Sequence, residues 1–249
     1  MAQNRTIQAE ARELISAADR IGLSLRLIGG LGVGFRCPSA AEPPFAREYS
    51  DIDCVALAEP TALANFLDAA GWVPNPEFNL YNGDARLLYN SPSGTKLDVF
   101  IDRFDMCHEI CFIGRMPFDS PSAYAGELLM TKLQIHDITD KDLSDAACIL
   151  FDCPLGPDDS GLNAGHIAQA CARDWGMYNS FSINLGKVVA WAAARPVGAE
   201  IANVVAERAV ALAAAIEKRE KPLPWRLRAA VGDRLRWYTE VDQAGEEGR

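Results

Sequence analysis

The sequence predicts an α/β (α+β) chain: a mixed β-sheet flanked by helices, followed by a C-terminal helical domain. Three observations carry this reading. Short apolar runs at 23–28, 51–57, 85–90 and 95–102 are bounded by Gly, Pro, Ser or Asn, as strands are. Helical apolar spacing interrupts them at 5–20 and 61–70. Beyond about Asp119 only the helical period recurs, which divides the chain into an α/β domain at 1–119 and a helical domain at 120–249.

The elements follow in order. Ile7, Ala11, Leu14, Ile15 and Ala18 mark the apolar face of the first helix. The strand at 23–28 is read as ending in a Gly29-Gly30 turn. Residues 37–46 hold Pro38, Pro43 and Pro44 and read as a loop. A strand at 51–57 precedes a helix at 61–70 that stops at Gly71. The runs 85–90 and 95–102 form a hairpin around Ser91-Pro92-Ser93-Gly94. In its second arm Lys96, Asp98, Phe100 and Asp102 alternate with Leu97, Val99 and Ile101, so Asp98 stands opposite the aliphatic face. Helices are expected at 122–135, 142–151, 164–173, 179–194, 198–219 and 225–242, with a linker at 154–160 and a frayed tail at 245–249. Ile201, Val204, Val205, Leu212 and Ile216 make one apolar stripe.

A net charge of −10 argues against broad nucleic-acid binding, which depends on Lys and Arg neutralising phosphates, although Arg26, Arg36 and Arg47 supply a local basic patch. No apolar run is long enough to cross a bilayer, and the N-terminus lacks a signal-peptide core. Seven scattered cysteines then read as reduced thiols in a cytoplasm.

The chemistry concentrates in three acids. Asp51 and Asp53 are two apart on one strand and share a face, where their mutual repulsion calls for a cation. Asp98 lies on a second strand, preferred over its neighbours Asp102 and Asp105. Carboxylates converging from two strands suit a hard divalent cation such as Mg²⁺. Gly29 and Gly30 let backbone N–H groups approach phosphates. Together these features suggest a magnesium-dependent enzyme acting on a nucleoside triphosphate. The glycines fit neither G-x-G-x-x-G nor G-K-[ST], so a dinucleotide fingerprint and a P-loop both fail. Arg36 and Arg47 offer forked contacts to triphosphate oxygens, and Arg47 alternatively orients the acids. A lone helical lysine such as Lys132 is ordinarily solvated, and Asp142 and Asp145 are ordinary helix-start acids. Cys107-His108-Glu109-Ile110-Cys111 lacks the further ligands that a structural zinc site needs, and its cysteines are expected to be buried thiols.

The Gly29-Gly30 pair, the stretch Arg47-Glu48-Tyr49-Ser50-Asp51-Ile52-Asp53 and Asp98 resemble the DNA-polymerase-β-like nucleotidyltransferase superfamily, particularly abortive-infection toxins and antibiotic nucleotidyltransferases. Glu127-Leu128-Leu129-Met130-Thr131-Lys132-Leu133 and Lys141-Asp142-Leu143-Ser144-Asp145 are similar to further motifs of those proteins. The resemblance covers pieces of about residues 20–150. It implies a nucleotidyltransferase-like mixed sheet. It implies transfer of a nucleoside monophosphate from an NTP to an acceptor hydroxyl with pyrophosphate release. Asp51 and Asp53 would hold two Mg²⁺ ions. Asp98 would complete one metal site and take the hydroxyl proton. Gly29, Gly30 and Ser50 would steady the triphosphate, and Lys132 would contact its phosphates. A small molecule, a tRNA end or a protein side chain stay open as acceptor. The alternative reading is a non-catalytic nucleotide-binding or interaction module, such as one half of a toxin–antitoxin pair. A phosphohydrolase using the same acids is more distant.

Overall fold

A computed structural model describes residues 2–117 and 120–240. Helix α1 (Ala2–Arg20) leads to strand β1 (Ser24–Leu27) and helix α2 (Gly29–Arg36). Then come β2 (Asp51–Leu57), α3 (Pro60–Ala69), β3 (Val73–Pro74), α4 (Pro76–Asn82) and the hairpin arms β4 (Arg86–Asn90) and β5 (Lys96–Ile101). A short hairpin, β6 (Arg103–Asp105) and β7 (Glu109–Cys111), precedes α5 (Ala125–Leu133) and α6 (Asp140–Asp152). The two-residue strands β8 (Leu155–Gly156) and β9 (Leu162–Asn163) connect to α7 (Ala164–Arg173), α8 (Trp175–Ala194), α9 (Ala199–Lys218) and α10 (Leu223–Val231).

The main sheet has the order β1-β2-β5-β4-β3 and is mixed. β2 and β5 run parallel, and the other neighbours are antiparallel. Alternation along the strands makes the sheet a partition between two apolar cores. On one side Leu25, Ile52, Cys54, Leu97 and Val99 pack against Ile7, Leu14 and Ile15 of α1 and Leu63 and Leu67 of α3. On the other side Val55 and Phe100 join residues of α5 to α9, from Leu128 and Ile149 to Phe181 and Leu212. Asp53 and Asp98 belong to this second side by the same alternation. No helix among the described residues is long and apolar enough to cross a membrane.

Several elements depart from the sequence reading. Gly29-Gly30 is not a turn between strand and loop: it opens α2, in which Gly29 and Gly32 let the helix lie close to the sheet while Gly30 and Gly34 make room for the side chains of Arg47 and Tyr49. Pro38–Ala41, within the expected loop, forms a 3-10 turn. Helix α4 was missed; Asn75 caps it by accepting from Phe78 N at 3.1 Å, and Pro76 suits its first turn. The helix expected at 122–135 starts only at Ala125. The helix expected at 225–242 begins at Leu223 and ends at Val231, where Gly232, at φ +65, releases the chain into a 3-10 turn. Residues 241–242, the 245–249 tail and Asp119 lie outside the described residues.

Candidate active site

The parallel pairing of β2 with β5 sets Asp53 directly beside Asp98 in register, with Asp51 one pleat earlier on the same face. Asp51 is exposed and accepts from Ser50 Oγ at 3.2 Å. Asp53 is only partly exposed. Burial, then the charges of Asp51 and Asp98, push its carboxyl from the ordinary 3.8 to about 7. Gly29 covers it: at φ +61, a Cβ on Gly29 would stand 2.1 Å from Asp53 Oδ2. The backbone repeats this contact, since Ile28 N donates to Asp53 O at 2.9 Å.

Asp98 has a partner that sequence reasoning missed. Arg86, on the adjacent arm β4, donates Nε to Oδ1 at 2.8 Å and Nη2 to Oδ2 at 2.5 Å. Its guanidinium also lies 4.6 Å from the Phe100 ring centre. Burial nevertheless pushes the Asp98 carboxyl upward, against the pull of Arg86. The signal was in the hairpin: Leu88 pairs with Asp98, so Arg86 sits two residues along on the same face.

Lys132 is not solvated but buried. Its Nζ lies 2.9 Å from Asp142 Oδ1 and 3.0 Å from Asp145 Oδ2. Burial works against its charge, but Asp145 and Asp142 outweigh it and hold the ammonium above its ordinary range. Asp142 also fulfils its expected helix-start role, in a capping box with Thr139 at the head of α6. Asp145 accepts a fork from Arg47, at 3.1 Å from Nε and 2.8 Å from Nη2. Arg47 is therefore the partner of Asp145 and not of Asp51. Its Nη2 fills the space a Cβ on Gly30 would need, at 1.7 Å.

Gly29, Asp53, Arg86, Asp98 and Lys132, with Met106, line one cavity of about 140 Å³. Gly30, Arg47, Ser50 and Asp51 do not line it: Arg47 reaches it only through Asp145, the partner of Lys132, and Ser50 and Asp51 stand exposed at the start of β2. Arg36 is not brought to this cavity. It ends α2, roughly 10 Å along the helix from Gly29. There it donates to Ser120 Oγ, Ser122 O and Ala123 O, tying α2 to the segment before α5. Asp102 leaves β5 at φ +63, and Asp105 lines a neighbouring cleft. Of the two cysteines expected to be buried, Cys111 is exposed and Cys107 only partly buried, because β7 is a short edge hairpin arm.

No family model and no curated protein matches the chain. Among solved structures, it is similar to the antibiotic-resistance factor ANT(2'')-Ia at 14% identity and a TM-score of 0.41, over 86% of this chain and 96% of that one. It is similar to an antigenic nucleotidyltransferase-like protein from Paracoccidioides brasiliensis at 13% identity and a TM-score of 0.42, over 89% and 95%. JHP933 from Helicobacter pylori aligns at 13% identity and a TM-score of 0.34, over 90% and 97%.

Proposed function

We propose that the protein is a magnesium-dependent nucleotidyltransferase that moves a nucleoside monophosphate from an NTP to an acceptor hydroxyl and releases pyrophosphate. One observation supports this above the others: Asp53 and Asp98 stand in register on adjacent parallel strands, beside Asp51, under the glycine that opens α2. An all-oxygen donor set fits a hard cation. So does the raised Asp53 carboxyl, because crowded acids that resist ionising are relieved by a dication.

Asp51, Asp53 and Asp98 are the residues that would hold Mg²⁺, which when bound neutralises charge building on the phosphates. Gly29, where a Cβ would collide with Asp53, keeps the backbone at the head of α2 close against the acids that would meet the triphosphate. Lys132 has three N–H donors and gives two to Asp142 and Asp145, which leaves one for a phosphate oxygen. Arg47 acts one step removed, by fixing Asp145 and through it Lys132. Ser50 steadies Asp51 at the mouth. Asp98 accepts the acceptor hydroxyl's proton, and Arg86 sets the angle of its carboxylate. The helices after residue 120 form the second domain of this reading and supply Lys132 and its acids.

A second reading rests on Arg86. Its guanidinium already neutralises both oxygens of Asp98, as a metal would, which suits a nucleotide-binding module without turnover. Labelled ATP, GTP, CTP and UTP, each with Mg²⁺ and a panel of tRNA, hydroxylated small molecules and proteins, separate the two. A transferase yields a labelled adduct and pyrophosphate in equal amounts, and Asp53→Asn abolishes both. A Mg²⁺- and NTP-dependent rise in melting temperature with no product from any acceptor favours the binding module. Free nucleotide as sole product indicates hydrolysis.

A further inference from the structure

A second cluster of metal-ligating side chains lies where the far end of α2 meets the far end of α6. Cys37 follows the last residue of α2, while Cys148, Asp152 and Cys153 close α6. One ligand atom from each of Cys37, Cys148 and Asp152 lies within 4.8 Å of the others. The Cys37 thiol neighbours those of Cys148 and Cys153, and Cys153 lies outside the tighter group of three. All three thiols are buried. Asp152 is held by Ser39, whose N and Oγ donate to its two oxygens at 2.8 and 2.7 Å, and each oxygen keeps a further lone pair. Arg36 comes next to the cluster in sequence, and its charge acts on Cys153. Its Nε is buried and, among the described residues, has no hydrogen-bond partner.

Ser39 holds Asp152, while neutral thiols leave the buried Arg36 Nε–H unanswered. A metal–thiolate centre would use a free lone pair of Asp152 as an oxygen ligand, and its negative sulfurs would accept from a guanidinium. We infer that Cys37, Cys148 and Asp152, completed by the neighbouring Cys153 as fourth donor, form a binding site for a thiophilic divalent cation of the zinc class, which staples α2 to α6. At a Zn–S distance of about 2.3 Å, tetrahedral ligands lie about 3.8 Å apart, so the ligand atoms of Cys37, Cys148 and Asp152, already within 4.8 Å, draw in by at most about 1 Å on binding. Each thiol gives its proton to solvent as its sulfur coordinates. Mg²⁺ does not compete, because thiolates select soft cations. The inference goes beyond the proposed transferase activity and stands if that reading fails.

The test uses the full chain, reduced and stripped of metal, titrated with Co²⁺. The expected result is thiolate-to-cobalt charge-transfer absorption saturating at about one ion per chain, bleached by Zn²⁺ and unaffected by excess Mg²⁺. Cys37→Ser and Cys148→Ala remove the band, while Cys171→Ala, whose thiol is buried outside the cluster, retains it. Absence of the band in the wild-type chain overturns the inference whatever the variants do. So does a band that survives Cys37→Ser. No readout depends on nucleotide chemistry, so failure here leaves the acid site untouched.

Discussion

Replacing Asp53 with Asn should stabilise the metal-free protein. Burial and the charges of Asp51 and Asp98 push its carboxyl from 3.8 up to about 7. At 1.36 kcal/mol per unit this is at most about 4 kcal/mol. Asp53 keeps some solvent contact, which screens part of this, so about 2–3 kcal/mol is the working figure. The sign follows from the upward shift. Below the ordinary carboxylate pKa both folded and unfolded chains carry the proton, and the group has no effect. As pH climbs from 3.8 through about 7 the unfolded chain gives up its proton first, so folding stability falls, and above that range the whole deficit is present. Asparagine has the shape of the protonated acid and no charge. Denaturant unfolding of both proteins in chelator should therefore give Asp53→Asn an advantage of about 2–3 kcal/mol near pH 8, shrinking to under about 1 kcal/mol near pH 4. Saturating Mg²⁺ should narrow the gap by stabilising the wild type. A variant less stable than the wild type near pH 8, or a gap independent of pH, would refute the claim that repulsion and burial strain this carboxyl.

Other substitutions should act in the opposite direction. Arg86→Ala strands Asp98 half-buried without its guanidinium, and urea unfolding should register a loss of about 1–3 kcal/mol. Combining it with Asp98→Asn should recover much of that loss in a double-mutant cycle. Lys132→Met leaves Asp142 and Asp145 facing each other without the cation between them; a loss of about 3–5 kcal/mol is expected by the same assay, with Arg47 still holding Asp145. Gly29→Ala meets both a left-handed backbone and Asp53 Oδ2 at 2.1 Å, so it should lower stability by about 1–2 kcal/mol and remove any Mg²⁺- and NTP-dependent thermal shift.

The parts of this fold that are written locally were legible. Alternation along 95–102 put Asp98 on the correct face, and the helical period at 164–173 matched α7 to the residue. Contacts that depend on partners distant in sequence were not. Nothing near Lys132 announces that two acids from the next helix will bury it. Nothing near Arg36 says that its guanidinium will serve the backbone at 122–123 instead of a phosphate. The glycines of α2 read as a turn because helix propensity disfavours them; tight approach to Asp53, Arg47 and Tyr49 overrides that preference. At Gly232 the apolar period continues while the backbone turns left-handed, so periodicity alone carried the helix too far.

The parallel pairing of β2 with β5 also bears on how the chain assembles. Its arms are separated by α3, β3, α4 and β4, whereas β4 and β5 join through a short turn. The hairpin is a local event; docking β2 is a long loop closure, and loop closures of that kind set folding rates. That docking step also presses two carboxylates together. The slow step of assembly therefore carries the electrostatic penalty, and refolding should accelerate when a proton or a dication is present to share the charge before the sheet is complete.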